Sequence, residues 1–328
     1  MKVWQWIVLL LVAVVVVTYF SGPRVPEPTF TATFPTVPSD LAELQRYVAD
    51  KEAGFPTRPD NEARIRFHND SLARTEYAIV YLHGYGGSYR DGYPANVALA
   101  DTLGANLYLA RWAGHGLVAD HAMEGFTPEA AWENAKEALA IGQSLGEKVL
   151  ILSTSTGGTL AIKLAADYPD RVHALLNMGP NLEDDVPGAW LLDSPWGYEL
   201  AHLAGMGEHK KIDHEEPAAN QYFDTIYPSK ALVDLQVLVG NTMTDETFRR
   251  VRCPVLTLYY HKDEFNEDQH VELDAYPDAH ALFAGSQGQG RVVLQALPDP
   301  ETHFIGSEIK SKDVDGTVEA LVEFCRGL

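Results

Sequence analysis

The sequence predicts a parallel β-sheet that is covered by α-helices on both faces. Short apolar segments alternate with amphipathic segments from residue 64 to the C-terminus, which is the pattern of successive βαβ units. The alternation is interrupted once, at residues 181–250, which are rich in Trp, Tyr, Leu and Pro. A chain of 328 residues, 46% of them hydrophobic, can bury one large core and a smaller lobe.

Hydrophobic periodicity and the flanking turn residues place each element along this pattern. Strands are predicted at residues 64–67, 76–82, 106–110, 148–152, 172–178, 254–260 and 291–297. Helices are predicted at residues 41–50, 96–103, 128–145, 158–166 and about 314–325. We therefore divide the chain into an N-terminal segment at 1–22, a Pro-rich linker at 23–40, a core at 41–180 and 251–328, and a helical cap at 181–250.

The N-terminal segment has the composition of a membrane span. Residues 3–20 carry no charge and form an almost continuous apolar run with aromatic residues at both ends. A run of about 20 residues crosses a hydrocarbon core, and aromatic side chains concentrate at its two surfaces. We expect an uncleaved anchor because no A-x-A-like cleavage site follows, and a cleaved signal peptide is the alternative. Either way the rest of the chain is expected outside the cytoplasm, with the Pro-rich linker as a stiff spacer.

The charge and the cysteines limit the possible partners and ligands. The chain has 46 acidic and 25 basic residues, a formal net charge of −21, so a basic face for nucleic acid is not expected. Cys253 and Cys325 are too few for a disulfide framework, and both lie in apolar segments typical of buried thiols.

A candidate nucleophile lies at the junction of a predicted strand and a predicted helix. The sequence S-T-S-T-G at residues 153–157 follows the apolar run 148–152 and precedes an apolar helical pattern. A serine on such a turn is a nucleophile elbow, which exposes the hydroxyl at the top of a parallel sheet. The usual pattern is G-x-S-x-G, and Ser153 here replaces the first glycine with another small residue. Ser155 is therefore the predicted nucleophile.

A serine nucleophile needs a base, and the base needs a carboxylate to orient it. In a sheet of this type the partners follow the serine in the order acid and then histidine. His303 follows the last predicted strand and is the candidate base. Two carboxylates in the loop after strand 254–260 are candidates for the acid. Asp268 has the D-x-x-V spacing to Val271, and Asp263 is the alternative.

The oxyanion of an acyl-transfer reaction needs preorganised backbone N–H donors. One candidate donor is Thr156, the residue after the nucleophile, and the other is Tyr85 in the glycine-rich loop H-G-Y-G-G-S at 83–88. That loop follows a buried strand upstream of the elbow, which is the position such a donor requires. His115, within G-H-G at 114–116, is a candidate for the lining of the substrate pocket.

These residues together resemble the α/β-hydrolase superfamily from residue 64 to the C-terminus. The resemblance rests on the H-G-Y-G-G-S loop, the S-T-S-T-G elbow, the acidic loop at 261–271 and His303. The segment R-W-A-G-H-G-L at 111–117 is similar to R-x-x-G-H-G-x in the lipase and esterase branch that includes monoacylglycerol lipases. Ser153 in place of glycine and the longer acidic loop depart from the family pattern.

The resemblance implies a serine hydrolase that cleaves carboxylic esters through an acyl-enzyme, without a metal or an organic cofactor. The aromatic cap, with Trp190 and Trp196 as candidate substrate contacts, and the membrane anchor favour a lipid-like or medium-chain acyl ester. Thioesterase, peptidase and acyltransferase chemistry use the same fold and stay open. A catalytically silent, membrane-anchored binding module is the alternative from another class.

Overall fold

The computed structural model describes residues 2–185, 188–203, 207–286 and 290–328. The helices of eight residues or more are α1 (Val3–Phe20), α2 (Leu41–Glu52), α3 (Ala95–Leu103), α4 (Pro128–Leu145), α5 (Thr156–Asp167), α8 (Ser229–Thr242), α10 (Ala275–Ala284) and α11 (Val314–Cys325). The shorter helices are α6 (Gly197–Ala201), α7 (Ala219–Tyr222) and α9 (Asp245–Arg250). The strands are β1 (Arg64–Arg66), β2 (Thr75–Leu82), β3 (Asn106–Leu109), β4 (Gly146–Thr154), β5 (Ala174–Met178), β6 (His209–Lys211), β7 (Ile226–Pro228), β8 (Val255–Asp263), β9 (Asn266–Glu267) and β10 (Val292–Leu297).

The main sheet has the predicted parallel core. Its strand order is β1-β3-β2-β4-β5-β8-β10, and β9 pairs with β8 at the side. Every pair from β3 to β10 along this order is parallel, whereas β1 is antiparallel to β3 and β9 is antiparallel to β8. This confirms the fold class that the alternation of strands and helices predicts.

Both faces of the sheet are buried, so the central strands β2 and β4 are apolar over the stretches 78–82 and 149–152. On β2, Val80 and Leu82 contribute to one hydrophobic core together with residues of α4 and α5. Ile79 and Tyr81 contribute to a second core on the other face, with residues of α3 and α11. The two cores follow from the period of two in a strand, which points successive side chains to opposite faces.

The segment between β5 and β8 contains more than the predicted helices. In addition to α6, α7, α8 and α9, it forms a two-stranded antiparallel sheet of β6 and β7. The residues of β6 are all exposed, so they have no apolar alternation by which a sequence pattern could reveal the strand. Within this segment α9 packs through Phe248 against Phe283 of α10, so its last helix joins the core rather than the cap.

The Pro-rich segment is expected to be a stiff spacer, but over part of its length it is packed on the core. Phe30 lies edge-on to Trp132 of α4, and Phe34 lies edge-on to Tyr168 after α5. The buried Lys136 ammonium donates to the carbonyl oxygens of Thr31 at 3.0 Å and Thr33 at 2.7 Å. These contacts satisfy a lysine that would otherwise be buried at a large cost, so residues 29–34 are an integral strap on the domain.

Candidate active site

The elbow is formed as the sequence pattern requires. Ser155 lies between β4 and α5 with φ 53° and ψ −122°, a conformation that costs a non-glycine residue on the order of 1–3 kcal/mol. A Cβ on Gly157 would be 2.0 Å from the carbonyl oxygen of Leu82, so this position requires glycine. Ser153 fits in place of the first glycine because its buried hydroxyl donates to Oδ1 of Asn177 at 2.8 Å.

Of the two candidate acids, the structure pairs Asp268 with His303. Nδ1 of His303 is 2.5 Å from Oδ2 of Asp268, and the two side chains are 1% and 0% exposed. Burial alone would raise the pKa of Asp268. The attraction of His303 and the hydrogen bonds from His270 and His303 outweigh it and hold the pKa well below its ordinary value. Asp263 is exposed instead, and its carboxylate accepts from Asn266 and from the Phe265 N–H.

The backbone after β5 brings Ser155 and His303 to the same place. The Ser155 N–H donates to the Met178 carbonyl at 3.1 Å, and the Asn181 N–H donates to the Ser155 carbonyl at 3.0 Å. Between these contacts lies Gly179, where an added Cβ would be 3.1 Å from Cε1 and Nδ1 of His303. Nε2 of His303 is buried and has no hydrogen-bond partner among the described residues. A hydrogen bond between a nucleophile and its base is often long in the absence of substrate and tightens in the complex.

The glycine-rich loop after β2 lies against the elbow. A Cβ on Gly84 would be 3.0 Å from Cβ of Ser155, so loop and nucleophile are in close approach. In the described part of the chain, neither the Tyr85 nor the Thr156 N–H is a donor in a hydrogen bond. A donor to an oxyanion must be unpaired in this way, so the contacts are compatible with the predicted role of both residues.

A buried carboxylate holds this loop from below. Oδ2 of Asp91 accepts from the Gly84 N–H at 2.6 Å, and its Oδ1 accepts from the Tyr81 hydroxyl. The Tyr81 hydroxyl is also 2.7 Å from Oγ1 of Thr154, which precedes the nucleophile. Asp91 is completely buried, and burial raises its pKa to about 7. Asp91 couples the glycine-rich loop to the elbow, and no motif in the sequence marks it.

His115 lies behind the site rather than on its surface. It is 1% exposed, and its ring packs at 5.8 Å from the ring of Tyr85 and at 5.3 Å from that of Phe126. Burial holds its pKa well below the ordinary value, so the ring is neutral. His115 supports Tyr85, and Tyr85 is the residue that reaches the adjacent cavity.

A cavity of about 330 Å³ opens beside these residues. Its walls are mainly aromatic or apolar, and its remaining lining is polar or charged. The walls are Tyr85, Ile212, Phe223, Tyr227 and Phe304, and the other lining residues are Gly86, His214, Asp224, His270, Thr302 and Lys310. A larger cleft of about 470 Å³ is lined by residues at the opposite ends of the strands and contains no predicted site residue.

The cap is hydrogen-bonded to the glycine-rich loop after β2 at this cavity. The Asp224 N–H donates to the Gly86 carbonyl at 2.6 Å. The Asp224 carboxylate is buried, and its Oδ1 is 2.9 Å from Nη1 of Arg58. Burial raises the pKa of Asp224 to about 7, although Arg58 acts in the opposite direction. The cap residues that line the cavity are therefore fixed relative to Tyr85.

Trp190 and Trp196 do not contribute to this cavity. Trp190 is 65% exposed. The Trp196 N–H donates to the Pro23 carbonyl at 2.8 Å, and its indole Nε1 donates to the Thr18 carbonyl at 3.1 Å. Trp196 thus lies at the end of α1. Phe223, Tyr227 and Phe304, which no sequence motif marks, take the expected place beside the site.

His270 was also missed by the sequence reasoning, although it lies two residues after Asp268. Its ring stacks on that of His303, with centroids 4.8 Å apart and planes 15° apart. In the described part of the chain, Asp268, His270 and His303 form a group with metal-ligand atoms within 4.8 Å of one another. Within this group, Nδ1 of His303 and Oδ2 of Asp268 are hydrogen-bonded to each other.

A nucleophile elbow on a parallel sheet covered on both faces defines the class of α/β hydrolases. The chain belongs to the alpha/beta hydrolase family, whose model matches residues 79–301, more than half of the sequence. The predicted family is thereby confirmed. No curated protein matches the chain.

Solved structures of similar fold include enzymes with several activities. One belongs to LipS and LipT, two metagenome-derived lipolytic enzymes, and is 17% identical, with 82% of this chain and 99% of that chain covered and a TM-score of 0.62. A monoacylglycerol lipase of Paleococcus ferrophilus is 18% identical, with 80% and 99% covered and a TM-score of 0.54. An enol-lactonase from Burkholderia xenovorans LB400 is 15% identical, with 81% and 96% covered and a TM-score of 0.51. At these identities the similarity establishes a common fold, and function must be argued from the site.

Proposed function

We propose that this protein is a serine hydrolase that cleaves carboxylic esters through an acyl-enzyme. The observation that carries the proposal is the buried Asp268–His303 pair beside Ser155 on its elbow. Ser155 Oγ attacks the ester carbonyl while His303 Nε2 accepts its proton, and Asp268 orients the ring and stabilises the imidazolium. The Tyr85 and Thr156 N–H groups bind the oxyanion. His303 then protonates the leaving alcohol and activates the water that releases the acid.

The substrate that fits the cavity best is an ester with an acyl chain of medium length. The aromatic walls, such as Phe223 and Phe304 with ring centroids 5.0 Å apart, are suited to bury methylene groups. Each buried CH₂ contributes about 0.8 kcal/mol, so a longer chain binds more tightly until the cavity is filled. Thioesters, peptides and acyl transfer to an alcohol would use the same Ser155 chemistry, and competition between these acyl donors and acceptors separates them.

We further propose that α1 anchors the enzyme in a membrane with the catalytic domain outside the cytoplasm. It is a helix long and apolar enough to cross a bilayer, and none of its residues is buried in the domain. The strap begins at Thr29, whose N–H donates to Glu129 at 3.1 Å. The chain between Phe20 and Thr29 therefore spans at most about 30 Å when extended. The domain would be held close to the lipid surface.

The experiment that tests the activity is labelling by a fluorophosphonate probe together with hydrolysis of p-nitrophenyl esters. Ser155→Ala is expected to abolish both, and Ser153→Ala, two residues away, is the matched control that should retain both. A silent binding module would leave the wild-type protein unlabelled. Labelling that survives Ser155→Ala would place the nucleophile elsewhere.

A further inference from the structure

We propose that His270 is a positioning residue that holds the imidazole of His303 and makes catalysis fall off more steeply at acidic pH. The proposal rests on the function proposed above, in which His303 is the base. It concerns a second imidazole that the hydrolytic mechanism itself does not require. The carrying observation is the parallel stack of the two rings, 4.8 Å apart at 15°.

His270 is bonded to the same carboxylate as His303. Its backbone N–H donates to Oδ1 of Asp268 at 2.9 Å, and its ring Nδ1 is 3.6 Å from the same oxygen. Oδ2 of Asp268 is left to accept from His303. The two oxygens of one buried carboxylate therefore set the relative position of both rings.

His270 also separates the catalytic pair from solvent. Its side chain is 59% exposed and lines the cavity, whereas those of His303 and Asp268 are almost completely buried. Phe304 packs edge-on against both rings, at 5.8 Å from His270 and 5.0 Å from His303. Truncation of His270 would open one face of His303 to water and allow the ring to turn away from Ser155.

The charge of His270 has a separate effect. The transition state places a positive charge on His303, and a protonated His270 would face it across the stack with little water between them. The titratable groups around the His270 ring are Asp268 on its own loop, His303 after β10, and His214, Asp224 and Lys310 at the cavity. Of these, only Asp268 is hydrogen-bonded to His270 in the described part of the chain. A positive charge on His270 therefore opposes the imidazolium that forms on His303 and lowers the rate.

The test compares His270→Ala, which removes the ring, with His270→Phe, which keeps a ring for the stack but cannot titrate. His270→Ala is expected to lower kcat roughly three- to tenfold, the rate equivalent of a lost aromatic stack, with KM little changed. His270→Phe should retain kcat near wild type at pH 8, while kcat/KM should fall less steeply than in wild type as the pH is lowered. His261→Ala is the control, because His261 is another partly exposed histidine paired with a carboxylate, Glu267.

A readout independent of turnover is the downfield ¹H resonance of the His303 Nδ1–H. It should persist in wild type and His270→Phe and broaden through solvent exchange in His270→Ala, even if the natural substrate is not an ester. Wild-type kcat and an unchanged resonance in His270→Ala would overturn the positioning role. An acid limb of kcat/KM in His270→Phe that is as steep as in wild type would overturn the effect of the charge. Failure of the proposed function would appear differently, as absence of Ser155 labelling in the wild-type protein.

Discussion

Replacement of Asp268 by asparagine is the perturbation that best tests the site, because the chain provides a matched control in Asp263. The carboxylate of Asp268 is 2.5 Å from Nδ1 of His303, and both side chains are removed from solvent. An amide cannot balance the imidazolium and permits the wrong tautomer of the ring. In a triad of this kind the change costs about 10⁴ in kcat, equivalent to about 5 kcal/mol of transition-state stabilisation.

The control predicts a very different magnitude. Asp263 is in contact with solvent, and among the residues that the structure describes its carboxylate accepts only from Phe265 and Asn266 on its own turn. Asp263→Asn should alter kcat by about twofold at most, because its carboxylate is exposed and has no contact with His303. The assay is steady-state hydrolysis of p-nitrophenyl butyrate, with circular dichroism to verify that both variants are folded. Equal losses, or a larger loss for Asp263→Asn, would refute the assignment of the acid and the mechanism built on it.

Three further predictions follow from the cavity, the buried acids and the anchor. Catalytic efficiency should rise from acetyl to at least a medium acyl chain, and Phe223→Ala should flatten that rise. An acetyl optimum in the wild type would exclude the proposed substrate class. Burial raises the pKa of Asp91 from 3.8 to about 7, so the folded state retains a proton that the unfolded state loses, and the contribution of Asp91 to the unfolding free energy should decrease as pH rises from about 4 to about 7. Asp91→Asn should remove the Asp91 contribution to the decrease in unfolding free energy, which is on the order of a few kcal/mol, and leave the contribution of Asp224. Urea unfolding of wild type and variant at several pH values measures the difference. Leu203 in the cap is 80% exposed, and a spin label on Leu203→Cys should be accessible to lipid-dissolved oxygen in proteoliposomes. Phe265 is 84% exposed, and a spin label on Phe265→Cys should be accessible to aqueous nickel instead. Equal aqueous accessibility of the two labels would contradict a cap that lies near the membrane.

The fold could be predicted from the sequence because the local hydrophobic pattern and the burial of residues agree in the core. Strands such as β2 and β5 are apolar on both faces, and helix α4 begins at Pro128 after a Thr127 that caps it at Ala130. The elbow was equally predictable, since a small residue at 153 and glycine at 157 are needed wherever a strand turns this sharply into a helix. These features depend on a few neighbouring residues, which a linear pattern displays.

The parts of the site that the sequence did not reveal depend on contacts between distant segments. Asp91 is an ordinary acid in the sequence, and its role arises only because folding places it beneath Gly84 and beside Tyr81. The same is true of Phe223 and Phe304, which meet across the boundary of cap and core. Trp190 and Trp196 illustrate the reverse error. Large aromatic residues in an insert suggest a substrate wall, yet Trp196 is bonded to the chain that leaves α1.

The contact of Trp196 with the end of α1 limits how far the Pro-rich segment can separate the domain from α1. A free spacer would let the domain move away from the membrane by the full length of residues 23–40, but the strap is fixed to α4 by Lys136 from Thr31 onward. Val25 packs with Val233 and Val237 of α8, so the cap is in contact with the chain only a few residues after α1 ends. The consequence is a domain whose cap, not its opposite face, is nearest to the proposed lipid surface. Since the cap also supplies Phe223 and Tyr227 to the cavity, the same segment would link the membrane to the acyl-binding wall.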